Sequence, residues 1–170
     1  MASKKFNNVY IKDNFSIVGP LEKDGLLKNY NLVMDDYYYG EKTFEQAEIK
    51  MQKIVLNNLL NKNRLTENKV DFLLGGDLIN QISISSYNAS KFNIPYLGVY
   101  SACATYVEEL ILGASLISGK LAKNIVVITS SHNLNAERQF RYPVEYGAAK
   151  KHTTTFTTTA AVSSLLTNEP

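Results

Sequence analysis

Cys103 is the residue of this chain best placed for chemistry. It is the only cysteine among 170 residues, and it follows the apolar run 97–100 and two small residues. One face of the helical repeat that follows is apolar, and so is the opposite side, which predicts a buried helix. The first face has Val107, Leu110, Ile111 and Ala114, and the opposite side has Leu112 and Leu116. A thiol at a helix N-terminus is favoured as thiolate by free N–H groups and the helix dipole. The pattern indicates a nucleophile or its relic, with an inert buried thiol as the alternative.

A second group of chemically useful side chains lies in residues 130–147, the densest polar segment of the chain. Arg138 and Arg141 are three residues apart, so on a helix they share a face and present planar forks to a carboxylate. His132 follows a predicted buried strand and can act as donor, acceptor or switch. The alternative is a solvated helix with a Glu137–Arg141 pair and a structural histidine. One cysteine and two distant histidines do not make a metal site.

These residues need a scaffold that brings them together, and the order of apolar segments predicts one. Strands are expected within residues 9–18, 70–74, 97–100, 125–129 and 153–166, and helices within 43–61, 84–92 and 104–119. Thr43 and Gln46 form a capping-box pattern at the start of the first helix. Gly75 and Gly76 are expected to stop the second strand. The alternation predicts an α/β layered domain with a mixed, largely parallel central sheet.

Three polar segments are predicted at the carboxyl ends of strands, where ligands usually bind in such sheets. They are residues 75–77, which contain Asp77, residues 101–103 and residues 130–133. We therefore expect one site that combines Asp77, Cys103 and His132.

Composition excludes several classes of protein. A net charge of +2, with mixed lysines and acids, argues against a nucleic-acid partner. A single cysteine leaves no internal disulfide, which indicates a reducing compartment. We find no signal peptide and no apolar run of about 20 residues that would span a membrane. No cofactor is expected.

The cysteine segment resembles the nucleophile helix of the thiolase and ketoacyl-synthase superfamily. Within it, four blocks resemble the stage V sporulation protein AD family: residues 19–25 (Gly-Pro-Leu-Glu-Lys-Asp-Gly), 76–81 (Gly-Asp-Leu-Ile-Asn-Gln), 100–105 (Tyr-Ser-Ala-Cys-Ala-Thr) and 130–147. The last block is the longest and most distinctive. The resemblance covers essentially the whole chain.

The resemblance implies a thiolase-like fold, in which two similar halves pack in five layers around two buried helices. Residues 1–170 are expected to form a single N-terminal thiolase-like domain, with the second half absent from this chain. Cys103 matches the superfamily's nucleophile, whose partner residues lie in the second half. The glycine turn usual in ketoacyl synthases is replaced here by residues 157–161, Thr-Thr-Thr-Ala-Ala. Both points favour a protein that is not an enzyme.

The family resemblance also implies a role: binding dipicolinic acid (pyridine-2,6-dicarboxylate), alone or as its calcium chelate, and supporting its uptake into the developing spore. The implied partners are the other membrane subunits of the spore dipicolinate channel and a second thiolase-like half or another copy of the chain. The implied location is peripheral, at the inner membrane of the forespore. A thioester-dependent acyltransferase using Cys103 and a pure scaffold for the channel subunits remain the alternatives.

The ligand-binding residues follow from matching the ligand's two carboxylates with donors and cations. The helix N-terminus at Cys103 and Ala104 offers N–H groups. Asp77 and Glu137 are expected to orient the cations, and Tyr100 or Tyr142 is expected to stack on the planar ligand. The candidate residues are Cys103, Ala104, His132, Arg138, Arg141, Asp77 and Tyr142.

Overall fold

A computed structural model describes residues 3, 5–79, 82–140 and 157–170. The strands are β1 (Tyr10–Val18), β2 (Leu32–Val33), β3 (Phe72–Asp77), β4 (Tyr96–Gly98), β5 (Asn124–Ser131) and β6 (Ala160–Thr167). The α-helices are α1 (Phe44–Lys62), α2 (Ser83–Ala89), α3 (Thr105–Ser118) and α4 (Asn133–Phe140). Short 3₁₀ turns occupy Glu22–Asp24, Glu67–Lys69 and Ala102–Ala104.

The six strands form one mixed sheet in the order β2-β1-β6-β5-β3-β4. Strand β6 runs antiparallel to both of its neighbours, β1 and β5. The pairs β1–β2, β3–β4 and β3–β5 are parallel. The α/β class and the mixed sheet predicted from the sequence are therefore confirmed.

Alternation along the strands divides the core between the two faces of the sheet. Leu73, Val126 and Leu165 point to the face covered by α1 and form the larger cluster with residues of that helix. Their neighbours Leu74 and Leu166 belong to the smaller cluster on the opposite face. Helix α3 contributes to this second cluster and packs against β5 and β3.

Helix α1 begins where the capping-box pattern predicts. The Thr43 hydroxyl accepts a hydrogen bond from the Gln46 N–H at 3.2 Å, which satisfies one of the free donors of the first turn. The buried side chains of α1 include Met51, Val55 and Leu59, spaced three to four residues apart on the face toward the sheet. This prediction is confirmed, with the helix ending at Lys62.

The prediction that Gly75 and Gly76 stop a strand is wrong. Strand β3 continues through both glycines to Asp77, since the backbone pairing with β5 is unbroken there. The glycines are needed because their neighbours come close. A Cβ atom on Gly75 would lie 2.9 Å from Cε2 of Tyr96. The pair therefore marks tight packing inside the sheet and not its end.

The other strand and helix boundaries differ less from those predicted by the sequence. The strand expected within 9–18 is observed as β1, with one register irregularity between Ile11 and Asp13. The helix expected over 84–92 is shorter, ending at Ala89. The last strand begins only at Ala160, and residues 157–159 before it are not part of a strand. Residues 153–156 of that predicted strand lie outside the described residues.

Helix α3 is buried on one face only. Gly113 allows the close contact, because a Cβ atom there would lie 2.6 Å from a methyl group of Leu166. On the far side Val107, Ile111 and Leu112 are exposed, Val107 at 55%. The expectation of a helix buried on nearly every face is therefore not met by this chain alone. An apolar helix face of this kind usually marks a contact surface.

Candidate functional site

A tight turn between β4 and α3 holds Cys103. The residue lies in the 3₁₀ turn Ala102–Ala104, directly before α3 begins at Thr105. Ala102 has a φ of 48°, the left-handed region that costs energy for a residue with a side chain. The Thr105 hydroxyl stabilises the turn by donating to the Ala102 carbonyl at 2.8 Å and accepting the Ser101 N–H at 3.0 Å. The thiol is thereby held exposed at the start of the helix.

Gly76 allows β3 to approach this turn. A Cβ atom on Gly76 would lie 2.3 Å from Cγ2 of Thr105 and 2.4 Å from the carbonyl oxygen of Val99. Any side chain would push the turn away from the sheet, because one of these contacts is backbone. Glycine at position 76 therefore determines how closely the turn with Cys103 packs against β3.

Cys103 opens onto a cavity of about 610 Å³ at the carboxyl ends of β3 and β5, bounded also by β1 and β6. Its size is in the range usual for small-molecule sites. Tyr30 and Tyr106 are the aromatic residues among the described lining. The serine and threonine side chains of that lining are Ser16, Thr129, Ser130, Ser131, Thr157 and Thr158.

Charge in the described lining of this cavity is limited to one acid, Asp77; no lysine, arginine or histidine is among these residues. The Asp77 carboxylate accepts the N–H groups of Ile79 at 2.9 Å and Ser85 at 2.7 Å, at the start of α2. Burial raises the pKa of Asp77, although these hydrogen bonds act in the opposite direction.

Behind this wall lies a buried polar network that sequence reasoning missed. Glu48 and Gln52, one turn apart on α1, are fully buried. Glu48 accepts the hydroxyl of Ser130 and the amide of Asn135, both at 2.8 Å. Burial raises the pKa of Glu48 to about 7. The amide of Gln52 donates to Ser130 at 2.9 Å and to Ser85 at 3.0 Å.

A signal for this network was present in the sequence. Glu48 and Gln52 lie four residues apart and interrupt the apolar face of α1 between Ala47, Met51 and Val55. Polar residues in register with a buried face need buried partners. That pattern predicts a polar network without naming its other members.

Glu109 on α3 is a further buried acid that the sequence reasoning did not single out. It is fully buried beside Gly76, and among the described residues neither of its carboxyl oxygens has a hydrogen-bond partner. Burial, and secondly the neighbouring Glu108, raise the pKa of Glu109 to about 10. The group is therefore a neutral carboxylic acid at pH 7.

His132 is fully buried and does not line the cavity. Its Nδ1 accepts the N–H of Leu134 at 3.2 Å, so the proton lies on Nε2, which donates to the Tyr37 carbonyl at 2.8 Å. The ring stacks on Phe44 with centroids 5.1 Å apart. Burial lowers the pKa of His132, which favours the neutral form. In this arrangement the histidine joins the 37–44 loop and α1 to the end of β5.

The remaining candidates are spread around the site. Arg138 forms an ion pair with Glu45 at the start of α1 and is not part of the described cavity lining. Ala104 is exposed next to Cys103, and its N–H donates to the Ser101 carbonyl at 2.9 Å. Arg141 and Tyr142 lie outside the described residues. The structure thus brings Asp77 and Cys103 to one cavity and places His132 and Arg138 elsewhere.

The described part of the chain contains neither a cluster of metal ligands nor a helix that could span a membrane. Among these residues no cluster of three or more His, Cys, Asp or Glu side chains has the arrangement of a metal site. No described helix combines the length and apolar character needed to cross a bilayer.

Comparison with solved structures shows the fold. The priming β-ketosynthase of the R1128 polyketide pathway matches with a TM-score of 0.61 at 10% identity, over 98% of this chain and 52% of that one. 3-Oxoacyl-[acyl-carrier-protein] synthase III of Aquifex aeolicus matches with a TM-score of 0.60 at 14% identity, over 94% of this chain and 53% of that one. Cerulenin-bound OleA of Xanthomonas campestris matches with a TM-score of 0.61 at 12% identity, over 95% of this chain and 57% of that one. The fold is thiolase-like.

Comparison of sequences shows the family. Stage V sporulation protein AD of Bacillus subtilis (strain 168) is 37% identical over 163 residues, which are 95% of this chain and 48% of that protein. The chain thus spans about half the length of this curated relative. The family model for stage V sporulation protein AD matches residues 2–170. With the thiolase-like fold and the cysteine turn, this match shows that the chain belongs to the stage V sporulation protein AD family.

Proposed function

We propose that the chain is one half of a thiolase-like sporulation protein that binds dipicolinic acid in the cavity beside Cys103. The protein would support uptake of this acid, alone or as its calcium chelate, into the developing spore without catalysing a reaction. The observation that carries the proposal is the 610 Å³ cavity at the cysteine turn of a chain in this family.

The chemistry of the cavity fits a small planar acid. Hydroxyl groups of serine and threonine can donate to carboxylates, and the rings of Tyr30 and Tyr106 can pack on the pyridine. Tyr106 is held in place, since its hydroxyl lies 2.9 Å from that of Ser164. We retain Arg141 and Tyr142 as further ligand contacts of the proposal.

The geometry around Cys103 also supports a binding role over an enzymatic one. A cysteine nucleophile needs a neighbouring base. Both ring nitrogens of His132 are engaged with backbone groups, and no histidine or lysine is among the described residues lining the cavity. The alternative, a thioester-dependent acyltransferase, is favoured by the exposed thiol. Incubation with acetyl-CoA followed by mass spectrometry distinguishes the binding protein from the acyltransferase. Acylation of Cys103 followed by turnover would contradict our proposal.

We further propose that the open face of α3 packs against a second thiolase-like half or a second copy of the chain. The exposed Val107, Ile111 and Leu112 form this face. The membrane subunits of the dipicolinate channel are the proposed partners of the assembled protein, at the inner membrane of the forespore.

Calorimetric titration with dipicolinate tests the binding site. Val162 lines the cavity and Leu121 is exposed away from it, so Val162→Trp and Leu121→Trp form a matched pair. We expect Val162→Trp to weaken binding at least tenfold by filling the cavity, and Leu121→Trp to leave it unchanged. The isomer pyridine-3,5-dicarboxylate serves as the ligand control. Equal affinity of both variants, or no binding by the unmodified chain, would overturn the proposed site.

A further inference from the structure

A continuous chain of polar side chains leads from the cavity wall into the core. Asp77 and Ser130 both line the cavity. The Ser85 backbone N–H donates to Asp77, and the Gln52 amide donates to the hydroxyls of both Ser85 and Ser130. The Ser130 hydroxyl in turn donates to Glu48. Glu48 therefore stands one hydrogen bond behind the wall, and a change of its charge acts directly on the cavity.

This network contains more acceptors than donors. Two carboxyl groups belong to it, and among the described residues the side-chain carbonyl oxygens of Gln52 and Asn135 are buried without a hydrogen-bond donor. A buried acceptor without a donor is costly, and a proton is the smallest group that supplies one. The arrangement is therefore suited to hold a proton.

Among the described residues, no cation is paired with Glu48, whose carboxylate accepts from Ser130 and Asn135. Elements β1, β5, β6, α2 and α4 pack against α1, and Asp77 approaches from the end of β3. Asp77 repels the charged form of Glu48. Several charged and titratable groups on or beside these packing elements have partners of their own: Arg138 pairs with Glu45, Lys62 with Asp13, Glu137 accepts from Thr157, and buried His132 contacts the Tyr37 carbonyl.

We propose that binding of dipicolinate in this cavity is coupled to the uptake of a proton by the buried network, with Glu48 as its main site. This inference rests on the proposed function. The ligand brings two carboxylates to a wall whose described residues include Asp77 and no cation. Arg141, a proposed ligand contact, carries one positive charge and balances only one of the two carboxylates. Burying the other beside Asp77 without compensation is costly, and protonation of a neighbouring acid lowers that cost.

The direction of the pH effect follows from the state of Glu48 before binding. Burial raises the pKa of Glu48 to about 7, so the free protein is a mixture of both forms near neutral pH. The ligand's negative charge raises this pKa further, because like charges disfavour ionisation. The complex then holds more protons than the free protein, and the affinity falls as the pH rises above about 7.

Calorimetry in two buffers of different ionisation enthalpy measures this coupling. At about pH 7.5 we expect uptake of up to about one proton per ligand, and up to about a tenfold loss of affinity per pH unit above that. Glu48→Gln keeps the size of the side chain and should abolish both effects. Glu109→Gln is the matched control, since Glu109 is buried on the other face of the sheet and stays protonated in this range.

The outcomes separate this inference from the proposed function. Binding whose enthalpy is the same in both buffers overturns the coupling and leaves the function standing. No binding at all overturns both. Proton uptake that persists in Glu48→Gln overturns the assignment to Glu48. If Glu48→Gln does not fold, the two-buffer measurement on the unmodified chain still decides whether a proton is taken up, and Asp77→Asn then tests the network from its cavity side.

Discussion

Replacing Glu109 by glutamine should stabilise the protein in a strongly pH-dependent way. Glu109 is a buried carboxyl on α3 without a hydrogen-bond partner among the described residues. Its pKa is raised to about 10 from an ordinary 4.5, so folding at neutral pH requires the group to take up a proton. Glutamine has nearly the same shape and needs no proton.

The magnitude follows from the linkage between protonation and folding. Because the pKa of Glu109 is raised in the folded state, its contribution to the free energy of unfolding is fully present below about pH 4.5. That contribution is lost as the pH rises toward about 10. At pH 7 the proton uptake costs about 3 kcal/mol, at about 1.4 kcal/mol per pH unit. For a chain of this size that corresponds to about 6–12 °C in Tm.

Urea and thermal unfolding of both proteins at about pH 4.5 and pH 7 measure this effect. We expect a gain for Glu109→Gln that is about 3 kcal/mol larger at pH 7 than at pH 4.5. The exposed Glu169 provides a control, since Glu169→Gln should change stability by less than about 0.5 kcal/mol. A difference between wild type and Glu109→Gln that is the same at both pH values, or a loss of stability at pH 7, would refute the reasoning.

Three further predictions concern the scaffold and the thiol. Gly76→Ala should cost about 3 kcal/mol or more in unfolding experiments, because the new methyl group would meet the Val99 carbonyl at 2.4 Å; a neutral result would contradict the proposed packing. Thr43→Ala should lower stability by about 1 kcal/mol through loss of the bond from the Gln46 N–H, and Thr43→Ser should restore most of it. Cys103 should react readily with iodoacetamide because it is exposed, and dipicolinate should slow this alkylation; unaltered rates would place the ligand elsewhere.

Features that depend on residues close together in the chain could be predicted from the sequence. The capping pair Thr43 and Gln46 located the start of α1 because an N-cap acts within a single turn. The apolar repeat after Cys103 located α3, and the order of strands and helices predicted the mixed sheet. The family resemblance could also be read from the sequence, since its blocks are contiguous.

Contacts between side chains that are distant in the sequence became visible only in the folded chain. Glu48 pairs with Asn135, 87 residues away, and both become part of a network that no local pattern names. His132 follows a strand, as predicted, but its ring turns to Tyr37 and Phe44, away from the cavity. These partners are set by how α1, α4 and the sheet pack together. A periodic pattern predicts which face of a helix or strand is buried. The side chains that pack against that face belong to distant segments, so the pattern does not identify them.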